Sequence, residues 1–147
     1  MNTKQNNIEL SFYQLSLLAF LIESHPELST NRRFIKNRAK QAAAEFARAF
    51  DEGFNIQECS EIANKTLYAG LHFSRHNTIE NILWSEFAND VEIDYSRECA
   101  IALRLILEPI FAKYEINDDF AYTPEFQSLY TELVGAIQLK QEEDGKL

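Results

Sequence analysis

The chain has 147 residues with a net charge of −9, and 46% of its residues are apolar, including eleven Phe, six Tyr and one Trp. A domain of this length buries roughly two-thirds of its unfolded surface, so the core needs no disulfide or metal staple. Only four Gly and three Pro punctuate the chain, too few turn residues for an all-β fold, and an acidic protein is repelled by DNA and anionic membranes except where a local basic patch overrides its field.

Six helical segments follow from periodicity and caps. The first is expected from Ser11, where Ser11 to Gln14 fits a capping box and Leu10 with Leu15 fits a hydrophobic staple, to about Ser24 before His25-Pro26. Nine of the eleven residues from Phe12 to Ile22 are apolar, which predicts a mostly buried helix. The run Leu15 to Ile22 is too short to span a bilayer, where about 20 apolar residues are needed. The leader before it forms no basic n-region, and no small-x-small cleavage site follows before Pro26.

The second helix is expected from about Asn31 to Glu52, ended by Gly53 as a left-handed C-cap. Ile35, Ala39, Ala42, Phe46 and Phe50 share one face, and Arg33, Lys36, Lys40 and Arg48 the opposite one. Between Thr30 and Arg48 six basic residues stand against Glu45, a local charge of +5, which leaves −9 − 5 = −14 for the remainder.

The third helix runs from an Asn55 cap, with Glu58 at the box position, to about Phe73. Its stripe Ile56, Cys59, Ala63, Thr66 and Gly70 predicts a closely packed neighbour, because a mid-helix glycine otherwise costs roughly 1 kcal/mol relative to alanine. The fourth is expected from an Asn77 to Glu80 capping box to about Asn89. Ile79, Ile82, Leu83 and Phe87 form its apolar face, with Trp84 at the margin and Glu86 among them.

The fifth, about residues 96–114, is apolar on nearly every side and carries Pro109, which removes one backbone hydrogen bond. It reads as a hydrophobic central helix. The sixth begins at Thr123 and Pro124. The fold class is therefore all-α: a compact single-domain bundle of about six helices over 1–147, with residues 1–8 and 141–147 as frayed tails.

The richest segment for chemistry is Leu67 to Phe87. His72, His76 and Glu80 stand four apart in succession, the spacing that can place metal ligands on one helix face. The helix break expected at residues 74–77 works against that ladder, so turn-bonded histidines are the simpler reading. A buried Glu86 requires an ion pair or hydrogen bond, with a general base of raised pKa as the functional version. Arg104 and Glu108 fit a structural i, i+4 pair. Asp90, Glu92 and Asp94 resemble the start of a calcium loop, but Tyr95 replaces the required glycine and Ile101 the final glutamate. No nucleotide-binding or nucleophile motif is present. Cys59 and Cys99 read as reduced core thiols.

Three segments carry a resemblance: SFYQLSLLAFLIESHPEL, YAGLHFSRHNTIENILWSEF and EPIFAKYEINDDFAYTPEFQSLYTEL. The chain resembles a family of small uncharacterised proteins from Bacteroides-type bacteria, classed as a domain of unknown function, over nearly its whole length. The resemblance implies an all-helical fold, a bacterial cytoplasmic location and genes often on mobile elements, and it implies no activity, metal or cofactor.

The expected function is a non-enzymatic interaction or regulatory protein that binds a protein partner or itself. Its site would include His72, His76, Glu80, Trp84 and Glu86. The alternative is a nucleic-acid accessory factor of a mobile element, with Arg32, Arg33, Lys36 and Lys40 on phosphates. An enzyme is the third reading, and no membrane association is expected.

Overall fold

The computed structural model describes residues 3–91 and 95–144, with side chains from residue 10 onward. The described residues contain six α-helices and no strand, as the sequence leads one to expect. They fall into two compact units of three helices each, residues 1–71 and 72–147.

In the first unit, α1 spans Thr3–Ser24, a 3₁₀ turn covers Pro26–Leu28, α2 spans Arg32–Asp51 and α3 spans Ile56–Leu67. Ser11 is thus inside α1 and caps nothing; the helix begins eight residues earlier than its capping-box signal suggests. Nor is α1 mostly buried. Tyr13, Leu17, Leu21 and Ser24 form its buried line, while Phe12, Leu15 and Ile22 are exposed. At 100° per residue nine apolar positions in eleven cannot all face one core.

Helix α2 is capped by Asn31, whose side chain accepts from the Phe34 amide at 3.0 Å. It ends in a Schellman arrangement: Gly53 has φ +99°, the Gly53 N–H donates to Phe50 and the Phe54 N–H to Ala49. Ile35, Ala39, Ala42 and Ala49 are buried, and the small alanines let α3 approach closely. Phe50, expected on that apolar face, is exposed.

Helix α3 opens with the reciprocal Asn55–Glu58 capping box read from the sequence, with distances of 2.8 and 3.1 Å. It ends at Leu67, six residues before the expected end at Phe73. Gly70 is not mid-helix and no helix lies against it: it has φ +78°, and a Cβ there would meet nothing within 4 Å. Its role is the left-handed turn after the helix, which a side chain would strain. Arg38 of α2 closes the helix end, because its Nη1 donates to the carbonyls of Thr66, Leu67 and Ala69 at 3.3, 3.2 and 2.7 Å.

In the second unit, α4 spans Arg75–Glu86, α5 spans Ser96–Phe111, a 3₁₀ turn covers Phe120–Tyr122 and α6 spans Pro124–Asp144. Ser74, not Asn77, caps α4: its Oγ accepts from the Asn77 amide at 2.9 Å, and its carbonyl accepts from the Thr78 hydroxyl at 2.8 Å. The helix therefore starts early enough to include His76.

Helix α5 is the spine of this unit. Ala100, Leu103, Leu107 and Phe111 pack against Ile79, Ile82 and Leu83 of α4 and Leu129, Leu133 and Ile137 of α6. Phe73, Phe120 and Phe126 add edge-on ring contacts. The opposite side of α5, with Ile101, Leu105 and Ile106, is exposed. Of the expected tails, 1–2 and 145–147 lie outside the described residues; so do residues 92–94 of the weak calcium-loop match.

Candidate functional site

The residues singled out between Leu67 and Phe87 do not converge. His76 is buried on α4, with Nε2 2.9 Å from Glu80 Oε2 one turn on. His72 precedes the helix and is exposed; its backbone amide donates to Asp118 Oδ1 at 3.0 Å and its ring lies 3.9 Å from the same carboxylate. The two histidines therefore share a spacing of four without sharing a helix face. Among the described residues no group of three or more His, Cys, Asp or Glu side chains is placed to hold a metal ion.

Glu86 corrects the reading of a buried carboxylate. It is exposed at the last residue of α4, and its Oε1 accepts from the Tyr130 hydroxyl of α6 at 2.9 Å. Burial and this carboxylate together push the Tyr130 phenol above its usual range. Trp84 is 53% exposed and contributes little core volume. Each of these groups has its own partner or faces solvent, and no common reacting centre is formed.

A different surface is built in the first unit. Between α1 and the start of α2 lies an open groove of about 820 Å³, within the size range of binding sites for small molecules and helical segments. Leu15 and Leu18 of α1 and Ile35 of α2 supply its apolar lining, Gln14, Ser29 and Thr30 its polar points, and Arg32 and Lys36 a basic edge. The geometry follows from the sequence locally: the 3₁₀ turn after Pro26 and the Asn31 cap bring the first turn of α2 beside the exposed side of α1.

The charges of α2 divide by role. Arg38 is held by the α3 carbonyls and lies 4.9 Å from the Phe34 ring centre. Arg48 pairs with Glu45 and Glu52, at 2.8 and 2.9 Å, and holds the Glu45 carboxyl below its usual range. Arg32, Arg33, Lys36 and Lys40 are exposed and enter no ion pair among the described residues. They occupy one arc roughly 100° wide on the helix.

Across the chain the charge is just as uneven. Residues 1–71 hold eight acidic and eight basic residues, for a net of zero, whereas residues 72–147 hold fifteen acidic and six basic, for a net of −9. The groove is the feature sequence reasoning missed. Part of its signal stood in the sequence, since Leu15 and Leu18 lie off the buried line through Tyr13, Leu17 and Leu21.

The family model for the domain of unknown function DUF1896 matches residues 5–146. This chain belongs to the DUF1896 family. The DUF1896 chain is also similar to protein PG0816 from Porphyromonas gingivalis, whose crystal structure aligns with a TM-score of 0.94 at 35% sequence identity, covering 99% of each chain. No curated protein matches it. No helix among its described residues is long and apolar enough to cross a membrane.

Proposed function

We propose that this protein is a non-enzymatic interaction module, and that the groove between α1 and α2 receives an apolar helix bearing acidic residues on a protein partner. The single observation that carries this reading is the pairing of an apolar lining, Leu15, Leu18 and Ile35, with a basic edge, Arg32 and Lys36, that enters no ion pair among the described residues. Helix-in-groove binding uses an apolar stripe for affinity and flanking charge for orientation. The separate engagement of His72, His76 and Glu86 supports a binding role over catalysis, since catalytic groups must lie within reach of one reacting centre. The free thiols of Cys59 and Cys99 fit a reducing, cytoplasmic setting.

The test uses two labelled helical peptides with the same Leu/Ile stripe, one edged with Glu and one with Lys. Fluorescence anisotropy is expected to show binding of the Glu-edged peptide alone, weakened by salt and lost in Leu15→Glu. Equal binding of both peptides, or of neither, contradicts the reading.

Four exposed cations of α2, Arg32, Arg33, Lys36 and Lys40, favour one second reading, a nucleic-acid accessory factor serving a mobile element. An apolar groove beside the cations, and a second unit of net charge −9, favour a helical partner over a phosphate backbone.

A further inference from the structure

We infer that the exposed face of α5 is a surface for a second copy of this chain, whose own α5 packs on it antiparallel about a two-fold axis near Ile106. The surface lies on one helix of the second unit and shares no residue with the α1–α2 groove. The exposed positions Ile101, Ala102, Leu105, Ile106 and Pro109 fall within one arc of about 140° at 100° per residue. All five are apolar, and Leu105 among them is 68% exposed. A contiguous apolar patch over more than two turns of a helix marks an interaction surface.

The charges beside this patch select its partner. Arg104 and Glu108 stand on one margin of it, 3.8 Å apart. The Glu108 Oε2 atom is enclosed, yet it accepts no hydrogen bond among the described residues, which leaves that carboxylate with acceptor capacity to fill. Within the helix the other margin is uncharged, and Cys99 and Ile110 pack against the core there.

A two-fold axis that relates antiparallel helices brings like margins together, whereas one that relates parallel helices brings opposite margins together. Parallel packing would set Arg104 and Glu108 against an uncharged margin. Antiparallel packing about Ile106 brings Arg104 of each copy level with Glu108 of the other, so four charges of alternating sign close along one side. The same register seats Leu105 of each copy between Leu105 and Pro109 of the other, with Ile106 beside Ile106. Glu98, exposed near the start of the helix, comes level with the turn after the second helix, beside a Lys113 that already holds Glu132. Arg97 comes level with residues past the helix end, and no cation faces a cation. The face carries its own complement, which an isologous contact requires.

The contact is one helix face about 24 Å long. It is small beside standard interfaces of about 1,600 Å², so the dimer is of the transient, concentration-dependent kind. Sedimentation of the full chain from about 10 μM to about 1 mM spans the range in which such a contact assembles. The wild-type mass is expected to rise across it from 17.0 kDa towards twice that value. Leu105→Lys is expected to stay at 17.0 kDa with its helical circular-dichroism signal unchanged, since the side chain is exposed.

Arg104→Glu makes these two positions wholly acidic and Glu108→Arg makes them wholly basic. Each variant alone should need a roughly tenfold higher concentration to associate, because like charges then face each other. An equal mixture of the two should regain the wild-type curve, a rescue that a parallel pair does not give. Leu15→Glu, which disables the groove, should dimerise as the wild type does. Failure of the α5 contact is thereby distinguished from failure of the groove. A wild type that stays monomeric, a dimer that survives Leu105→Lys or is lost in Leu15→Glu, charge variants that match the wild type, or a mixture no better than its components overturns the inference.

Discussion

The Arg38 guanidinium lies 2.7 Å from the carbonyl oxygen of Ala69, and it reaches the carbonyls of Thr66 and Leu67 as well. A cation outside the solvated basic face of α2 is therefore the C-terminal cap of the neighbouring helix. A positive charge also opposes the negative end of the α3 dipole. This contact ties α2 to α3.

Arg38→Ala should accordingly destabilise the first unit by about 1.5–3 kcal/mol, the range for hydrogen bonds to a charged group. Arg38→Lys should recover only part, because an ammonium lacks the planar fork. Hydrogen exchange at Tyr68, Ala69 and Leu71 amides checks the location, and protection unchanged there would contradict the capping role.

Trp84 is the only tryptophan, so its fluorescence reports one place. With 53% exposure its emission should lie to the red and be quenched readily by acrylamide. Trp84→Phe should change stability by no more than about 0.5 kcal/mol, as surface substitutions usually do. A blue-shifted, protected emission would place the indole in a core instead.

Helix formation was largely legible in the sequence, whereas the chemistry of the middle segment was not. Asn55–Glu58 and Gly53 act where their patterns suggest, because each satisfies backbone groups locally. Ser11 and Asn77 carry equally good local patterns and cap nothing; α1 continues through Ser11, and Ser74 caps α4 one turn before Asn77. Glu86 and Trp84 fall at the C-terminal turn of α4, where the buried line is already filled by Ile79, Ile82 and Leu83. Gly70 shows the same limit: a glycine that permits close packing and one that permits positive φ are identical in sequence. The groove was illegible for a further reason, since it depends on which of two apolar seams of α1 finds a partner.

Glu132 sets a pH dependence in the second unit. Hydrogen bonds from Lys113 first, and then from the Tyr114 hydroxyl, hold its carboxyl below the usual carboxylate range. A carboxyl with a lower pKa in the folded state stabilises when ionised. That contribution is present in full above the unfolded pKa of about 4.3 and disappears as pH falls through the lower folded value. Thermal midpoints measured from pH 6 downward (roughly to pH 2.5, below that range) should fall more steeply for the wild type than for Glu132→Gln. Identical slopes would remove Glu132 from the account.

His76 is buried and pairs with Glu80 along α4. His76→Ala should cost about 2–4 kcal/mol, combining a cavity with the loss of a partner for the Glu80 carboxylate. His72→Ala, at an exposed ring, should be close to neutral. Urea denaturation of the two variants separates them, and equal losses would contradict the different roles given to the two histidines.

The central claim is that the α1–α2 groove is the recognition surface, and amide chemical-shift mapping of the full chain with the Glu-edged peptide tests it most directly. The largest shifts are expected at Leu15, Leu18, Ile35 and Lys36, with His76, Trp84 and Glu86 unmoved. Shifts centred on the Trp84 and Glu86 segment, or no shifts at saturating peptide, would contradict it.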